Sequence, residues 1–372
     1  MTERKIPFTS LAPGEDAAEI RAAIERVLSS GWFVLGPEVQ AFEREFAALS
    51  GAPHAIGVGN GTDAIALILK GLDIGQGDEV ITTPLTAAYT VLAILMAGAR
   101  PVFADIDPER LTIDPEAVDA AITSRTKGVI AVHLYGQAAD MDGLIRVAAR
   151  HNVAVIEDCC QAHLATANGR PVGTIGIAGA FSFYPTKNLG ALGDGGAVIT
   201  NDRTLADRIA RLRNGGQTDR YHHQEPGINS RLDEMQAAIL RARLSRLAAW
   251  TTQRRALAAA YRAALAGAQV AVPPVADPGH VYHLFVVRAS GRGGPARRDA
   301  LQHHLKGRGV DTLVHYPISM TRQPAFEFTH PADCPRAVKA CDEVLSLPLH
   351  PRLSDADLAT VAEHVRAFED RG

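Results

Sequence analysis

Lys187 stands in GAFSFYPTKNLGALGDGGAVIT, just after an apolar run, and 29 residues beyond Asp158 in VIEDCCQAH. A lysine is ordinarily a solvated surface charge. Enclosed near another cation and offered an aldehyde, its amine becomes a nucleophile. Asp158 ends an apolar run, where a carboxylate can pair with a protonated pyridine nitrogen and keep such a ring an electron sink. An aspartate at a strand-to-helix turn is equally a helix cap. Ser182 can offer a hydroxyl to a phosphate. In VGNGTDAIALILK, Gly57, Gly59 and Gly61 precede a helix beginning near Thr62. Close backbone approach and free helix amides favour an anion there, although a Gly-rich turn is often only a turn.

Chemistry at these positions requires strands that end beside one another. EVITTP, ARPVFADI, GVIAVHLYG, VAVIEDC, GAFSFYP and GAVITN read as strands between about residues 53 and 201. Amphipathic stretches such as TDAIALILKGL and DGLIRVAARH lie between them, so the pattern predicts a mostly parallel sheet covered on both faces. Ligands of such sheets gather at the carboxyl ends of the strands. Residues 233–266 carry one long helical period, read as a connecting helix. Pro273, Pro274 and Pro278 then break the pattern, and HVYHLFVVR opens a smaller region. The expected division is 1–245 for a large domain with its N-terminal segment and 246–372 for a small C-terminal domain. SGRGGPARR reads as a surface loop.

The chain has 372 residues, 47% of them apolar, and a formal charge of -3. That balance gives no electrostatic reason to bind nucleic acid. MTERKIPFTS is followed by no apolar stretch, and no segment is long and apolar enough to cross a bilayer, so the expectation is a cytoplasmic protein without membrane contact. Cys159, Cys160, Cys334 and Cys341 lack zinc-site spacing and disulfide density. They read as reduced structural thiols, with no metal expected. Cys159 and Cys160, being adjacent, would point to opposite faces of a strand.

GNGTDA, EDCCQAH, FSFYPTKNLGALGDGGA, GINSRLDEMQAA and VHYP, in this order and spacing over nearly the whole chain, resemble the DegT/StrS family of sugar aminotransferases. The resemblance implies pyridoxal 5′-phosphate (PLP) as cofactor, alternating with pyridoxamine 5′-phosphate. It implies an α/β chain of fold type I: a large domain with a mixed, mainly parallel seven-stranded sheet, a smaller C-terminal α/β domain, and a homodimer whose active sites are shared between subunits. Lys187 is then the Schiff-base lysine and Asp158 the partner of the pyridine nitrogen. Gln161 neighbours the cofactor's phenolic oxygen. Ser182 and the backbone of Gly61, Thr62 and Asp63 hold the phosphate. Asn229 is implied to reach that phosphate from the other subunit, whereas its local context alone reads as a left-handed turn after Gly227. One departure is TAAYT, which has Ala87 where many members stack an aromatic residue on the ring. Tyr89 either substitutes for it or serves the core or an interface.

The implied reaction moves an amino group from an amino acid, L-glutamate by the resemblance, to the ketone of a nucleotide-linked sugar. RNGGQTDRYHHQEPGINSRLD resembles the subgroup acting on 3-keto sugars, which points to a dTDP-3-keto-6-deoxyhexose. Tyr184, Arg220, Tyr221, His222, His223, Arg231, His315 and Tyr316 are candidate sugar or diphosphate contacts, and each also reads as a surface or interface residue. The alternatives are a 4-keto-sugar or keto-cyclitol aminotransferase, or a PLP-binding regulator without turnover. Retained Lys187 and Asp158 argue against the last, and against the family's dehydratase branch, in which a histidine replaces the lysine.

Overall fold

Successive residues of a strand face opposite ways, and the apolar runs obey this rule. In the computed structural model, which describes residues 5–291, 294–329 and 332–368, Val80, Ile130, Ile156 and Val198 enter one hydrophobic core. Their neighbours Ile81, Val129, Val155 and Ile199 enter another on the opposite face. The strands are β1 (His54–Val58), β2 (Glu79–Thr82), β3 (Arg100–Phe103), β4 (Thr126–Val132), β5 (Ala154–Asp158), the small hairpin β6 (Thr166–Ala167) and β7 (Arg170–Pro171), β8 (Ala178–Ser182) and β9 (Gly196–Thr200). Seven of them form one sheet in the order β1-β9-β8-β5-β4-β2-β3. The pairings β2–β3, β2–β4, β4–β5 and β5–β8 are parallel, while β9 runs antiparallel to both β1 and β8. This is the expected mixed, mainly parallel sheet. Helices Gly61–Gly71, Ala88–Met96 and Arg203–Leu212 cover one face. Helices Pro37–Ser50, Met141–His151 and Glu234–Leu244 cover the other.

Because the parallel strands share a direction, β4, β5 and β8 end on one edge, bringing His133, Asp158 and Ser182 together. Two expectations need correcting near that edge. β5 stops at Asp158, so Cys159 and Cys160 occupy the following turn and do not alternate on a strand. GVIAVHLYG leaves the sheet at Val132 and continues as a 3-10 turn, Leu134–Gly136, with Tyr135 at φ 60.

The stretch 233–266 is two helices, Glu234–Leu244 and Leu247–Ala264, broken at Ser245 and Arg246. The break lets one amphipathic run serve two cores. Ala237 and Leu240 pack on the sheet, whereas Leu257, Ala258 and Tyr261 pack into a third core with Phe285, Leu305 and Val361. There Phe285–Arg288 pairs antiparallel with Val344–Leu347. Ile6 also joins this core and bridges Val310, so the start of the chain is packed among residues near its end. Residues 1–4 of the charged N-terminus and 292–293 of the Gly/Arg-rich turn lie outside the described residues.

The fully buried Glu157 ties the ends of β4 and β5 to the chain that enters β8. Its Oε1 accepts the amides of Ile175 (2.8 Å) and Gly176 (2.7 Å), and its Oε2 that of Gly173 (2.7 Å). Oε2 also lies 3.0 Å from His133 Nε2. His133 Nδ1 accepts the Ala139 amide at 3.1 Å, so the ring proton sits on Nε2 and is donated to Glu157. His133, Glu157 and Cys159 place potential metal-ligand atoms within 4.8 Å of one another, but both ring nitrogens and both carboxylate oxygens are already engaged in holding the chain. Glu157→Ala would leave these donors buried without an acceptor. We expect it to cost about 3–5 kcal/mol of stability in urea unfolding; a loss below 1 kcal/mol would show that the strand ends do not depend on this carboxylate.

Candidate active site

β5 hands its last residue to a loop, since no helix follows until well past β8. Asp158 is therefore not a helix cap. Its side chain is buried, with Oδ1 accepting the Cys160 amide at 3.1 Å and Oδ2 accepting the Thr90 hydroxyl at 2.8 Å. Each oxygen keeps a further lone pair that can face a cation. Thr90 in turn meets Thr86 Oγ1, four residues back and just ahead of the helix, at 3.2 Å. Thr90 was not among the residues marked in the sequence, although the four-residue spacing from Thr86 in TAAYT is a signal for it. Tyr89, its neighbour, is 65% exposed and lies close enough to Tyr316 to influence its titration.

Across the edge, helix Gly61–Gly71 starts against β8. A Cβ on Gly61 would lie 2.6 Å from Cys160 Sγ and 2.9 Å from Ser182 Cβ, so only glycine fits between the turn and the strand. The first helical amides have no partner within the helix. Asp63 is an exception, because its amide already donates to the Asn60 cap at 2.9 Å. The Asp63 carboxylate is held by Ser230 Oγ (2.6 Å) and Asn60 Nδ2 (3.1 Å). The amides of Gly61 and Thr62, with Ser182 alongside, make a small cradle for an anion.

After β8 the chain turns tightly, with the Lys187 amide donating to Tyr184 O at 2.8 Å. Gly190 permits the return: a Cβ there would lie 2.5 Å from Pro185 O. Half-buried Lys187 has its amine pushed below the ordinary lysine value by desolvation, while Cys160 and Asp158 pull it back up. Burial pushes the Cys160 thiol well up, with Asp158 adding to the effect. Three imidazoles lie around the lysine. Burial, followed by the charge of Lys187, lowers His163 to about 3, His315 to about 4 and His283 well below 6.5. His163 closes the EDCCQAH motif without a role assigned to it there, and His283 carries no sequence signal of its own.

Gln161 links this edge to the C-terminal region. Its Oε1 accepts the Tyr135 amide at 2.7 Å and its Nε2 meets Tyr316 Oη at 3.0 Å. Tyr135 donates its hydroxyl to His315 O. His315 Nδ1 reaches Ser346 Oγ at 2.9 Å, and its ring stacks on Phe8 with centroids 5.8 Å apart. Burial raises the Tyr316 hydroxyl above the usual tyrosine range. Tyr135 escaped notice in the sequence, although its place just beyond a strand end qualified it.

Lys187, Asp158, Ser182, Gly61, Gln161, His315 and Tyr316 thus converge within one protomer. The others do not. Arg220, Tyr221, His222 and His223 lie on an exposed hairpin, Gln217–Asp219 against His222–His223. Tyr221 is 77% exposed and Arg220 lies over its ring. Arg231 Nη1 donates to Asn214 Oδ1 at 3.0 Å. Asn229 is exposed and bridges Asn214 in an antiparallel pairing, with none of the left-handed backbone of a turn. Tyr184 is half exposed.

A family model matches residues 15–366. The chain belongs to the DegT/DnrJ/EryC1/StrS aminotransferase family. Members of the family depend on PLP, and this chain is an aminotransferase of the same kind. It is 47% identical to a dTDP-3-amino-3,4,6-trideoxy-α-D-glucose transaminase of Streptomyces venezuelae, over 99% of this chain and 97% of that one. It is 46% identical to a pleiotropic regulatory protein of Geobacillus stearothermophilus, over 94% of each. Among solved structures, S. venezuelae DesV in complex with a ketimine intermediate superposes with a TM-score of 0.93 at 46% identity, covering 98% of this chain and all of that one. The family's cofactor fits what is present: a buried carboxylate with spare lone pairs, an amine of lowered pKa, and an anion cradle that a single Cβ would fill.

The three imidazoles give a test of the site's electrostatics. They are neutral in the fold, whereas unfolded histidine protonates near 6.5. Below that pH the unfolded chain binds more protons, so stability present above pH 6.5 is lost as pH falls toward 4. Unfolding free energy should fall by about 1 kcal/mol per pH unit per histidine between pH 6.5 and 5. A flat profile over that window would mean that these rings are not held neutral.

Proposed function

We propose that the chain transfers the amino group of L-glutamate to the ketone of a nucleotide-linked sugar, a dTDP-3-keto-6-deoxyhexose. The observation that carries this reading is the convergence of Lys187, Asp158 and the Gly61–Ser182 cradle at one sheet edge. In it, Asp158 would hold the pyridine nitrogen, Gly61, Thr62 and Ser182 the phosphate, and Gln161 the phenolic oxygen, with Tyr89 as the aromatic residue available to the ring. PLP, when bound, supplies an electron sink for the donor's α-carbon. Lys187 Nζ, biased toward the uncharged amine by burial, takes the proton from that carbon and holds it. In the second half-reaction the same amine returns a proton to the sugar carbon that gains nitrogen. Asp158 keeps its charge aimed at the ring because Thr90 and the Cys160 amide fix both of its oxygens. Retention of both Lys187 and Asp158 favours turnover over the role named for the Geobacillus relative.

The working unit in this reading is a homodimer in the cytoplasm. Trp32, Phe33, Met96 and Tyr221 are exposed large apolar residues that a subunit contact would cover. No helix of the described residues is long and apolar enough to cross a membrane. The exposed Asn229 then completes the partner's phosphate site. The hairpin bearing Arg220, Tyr221, His222 and His223, with Arg231, reaches toward the sugar diphosphate there, and Tyr184, His315 and Tyr316 of the site's own subunit meet the sugar. The division at residue 245, at the break between two helices, is the hinge-like boundary of the two domains in this reading.

Lys187→Ala should lower turnover by at least about 10²–10⁴-fold while the protein still binds PLP reversibly; full turnover would sink the assignment. Mixed refolding of Lys187→Ala with Asn229→Ala subunits tests the shared site. Half of the dimers then pair unlike subunits and carry one intact site, so activity should recover to about a quarter of wild type. No recovery over the separate variants would place Asn229 outside the partner's site. Comparing dTDP-linked 3-keto and 4-keto sugars with a keto-cyclitol as acceptors decides the substrate, and preference for either of the latter overturns the 3-keto reading.

A further inference from the structure

A cavity opens beside Lys187, on the side of the N-terminal segment. Its wall includes Ser10, Asn188, Arg254, His350 and Arg352 as well as Lys187. Two of these side chains are buried without what burial demands. Arg254 is 6% exposed, and among the described residues no carboxylate pairs with it. Its Nη1 donates to the carbonyls of Tyr282, His283 and Leu349 at 3.3, 3.4 and 3.0 Å, but its Nε has no partner. His350 is 7% exposed and has no partner on either ring nitrogen. Buried polar groups in native proteins are rarely left this way, and each such group asks for a water or a ligand.

The charge around the cavity is one-sided. Arg352 Nη2 donates only to backbone, at Ser10 O (2.9 Å) and Ala12 O (2.7 Å). The two acids of the wall are already committed. Asp16 pairs with Arg243 at 2.8 Å, and Glu15 accepts Trp250 Nε1 at 2.7 Å and faces Arg246 at 3.9 Å. Burial lowers Arg254 to about 10, and burial together with Arg254 and Arg352 lowers His350 to about 4, with Asp357 pulling it part of the way back. The first shift is that of a desolvated cation, and the second adds the repulsion of two cations to desolvation.

We propose that this cavity binds a carboxylate of the amino donor, with Arg254 as its ion-pair partner and His350 as a hydrogen-bond donor. The proposal rests on the aminotransferase reading above. An amino acid bears its α-carboxylate on the carbon that bears the amine, so a subsite for it has to abut Lys187, as this one does. The diphosphate of a sugar nucleotide is separated from a 3-ketone by the sugar ring, and belongs farther from the lysine. The guanidinium fork suits a carboxylate, and its desolvated setting strengthens the pair. Residue spacing alone marks no carboxylate clamp in this chain. Arg254 becomes one only because helix Leu247–Ala264 packs against the loop that holds His350.

Glutarate is a dicarboxylate with no amine to transfer, and it tests the subsite without turnover. Titrated calorimetrically into the PLP-loaded enzyme, it should bind saturably. Arg254→Lys and His350→Ala should each weaken it at least about tenfold. The KM for L-glutamate should rise in parallel, while the KM for the keto-sugar nucleotide stays put. If Arg254→Lys fails to fold, His350→Ala carries the test, because His350 makes no side-chain hydrogen bond that holds the chain. Unchanged glutarate affinity in folded His350→Ala overturns the proposal. So does a loss confined to the sugar nucleotide, or a wild-type enzyme that uses glutamate yet ignores glutarate. A wild-type enzyme that takes an amine from no amino acid overturns the aminotransferase reading itself.

Discussion

The buried carboxylate of Glu157 is the interaction on which the site depends. It accepts His133 from the end of β4 and three amides from the chain entering β8, while its own strand carries Asp158 one residue later. One side chain thereby fixes the ends of β4 and β5 and the entry to β8, and these strands carry the functional groups outward: Tyr135 after β4, Asp158 at the end of β5, Ser182 at the end of β8 and Lys187 beyond it. Such a charge is tolerable in a core because every oxygen is fully bonded. Removing water from this hub also means that the groups at the edge inherit a rigid frame, which a catalytic constellation needs.

Lys187 works in surroundings that disfavour positive charge. Its neighbours are neutral imidazoles, a thiol pushed toward its protonated form, and one carboxylate. The C-terminal region contributes to that enclosure through a chain of contacts from Phe8 to His315, from Tyr316 to Gln161, and back to Tyr135. The sheet supplies the reactive edge, and the rest of the chain closes it.

Much of this was legible in the sequence, because strands buried on both faces read as apolar runs and residues just past their ends are few. Asp158, Ser182 and Lys187 were found in that way, and the resemblance of their motifs to one family joined them into a single site. β1 was not named as a strand, since Gly57 interrupts its apolar residues and its partner β9 lies far along the chain. The break at Ser245 was hidden by an unbroken helical period, which records burial on each side but not that two different cores receive it. Arg254 and Thr90 were missed for a related reason. What marks them is the absence or presence of a partner distant in sequence, and periodicity carries no record of that.

Ile6 and Val310 pair across almost the whole length of the chain. On a ribosome adding about 5–20 residues per second, the first of these emerges roughly 15–60 s before the second exists. The sheet, whose strands all lie before residue 201, has time to assemble in that interval. The third core does not, because its earliest residue waits for its last. The N-terminal segment that walls the cavity beside Lys187 is therefore laid down late, over a finished sheet, and the lysine is enclosed only after the strands around it are in place.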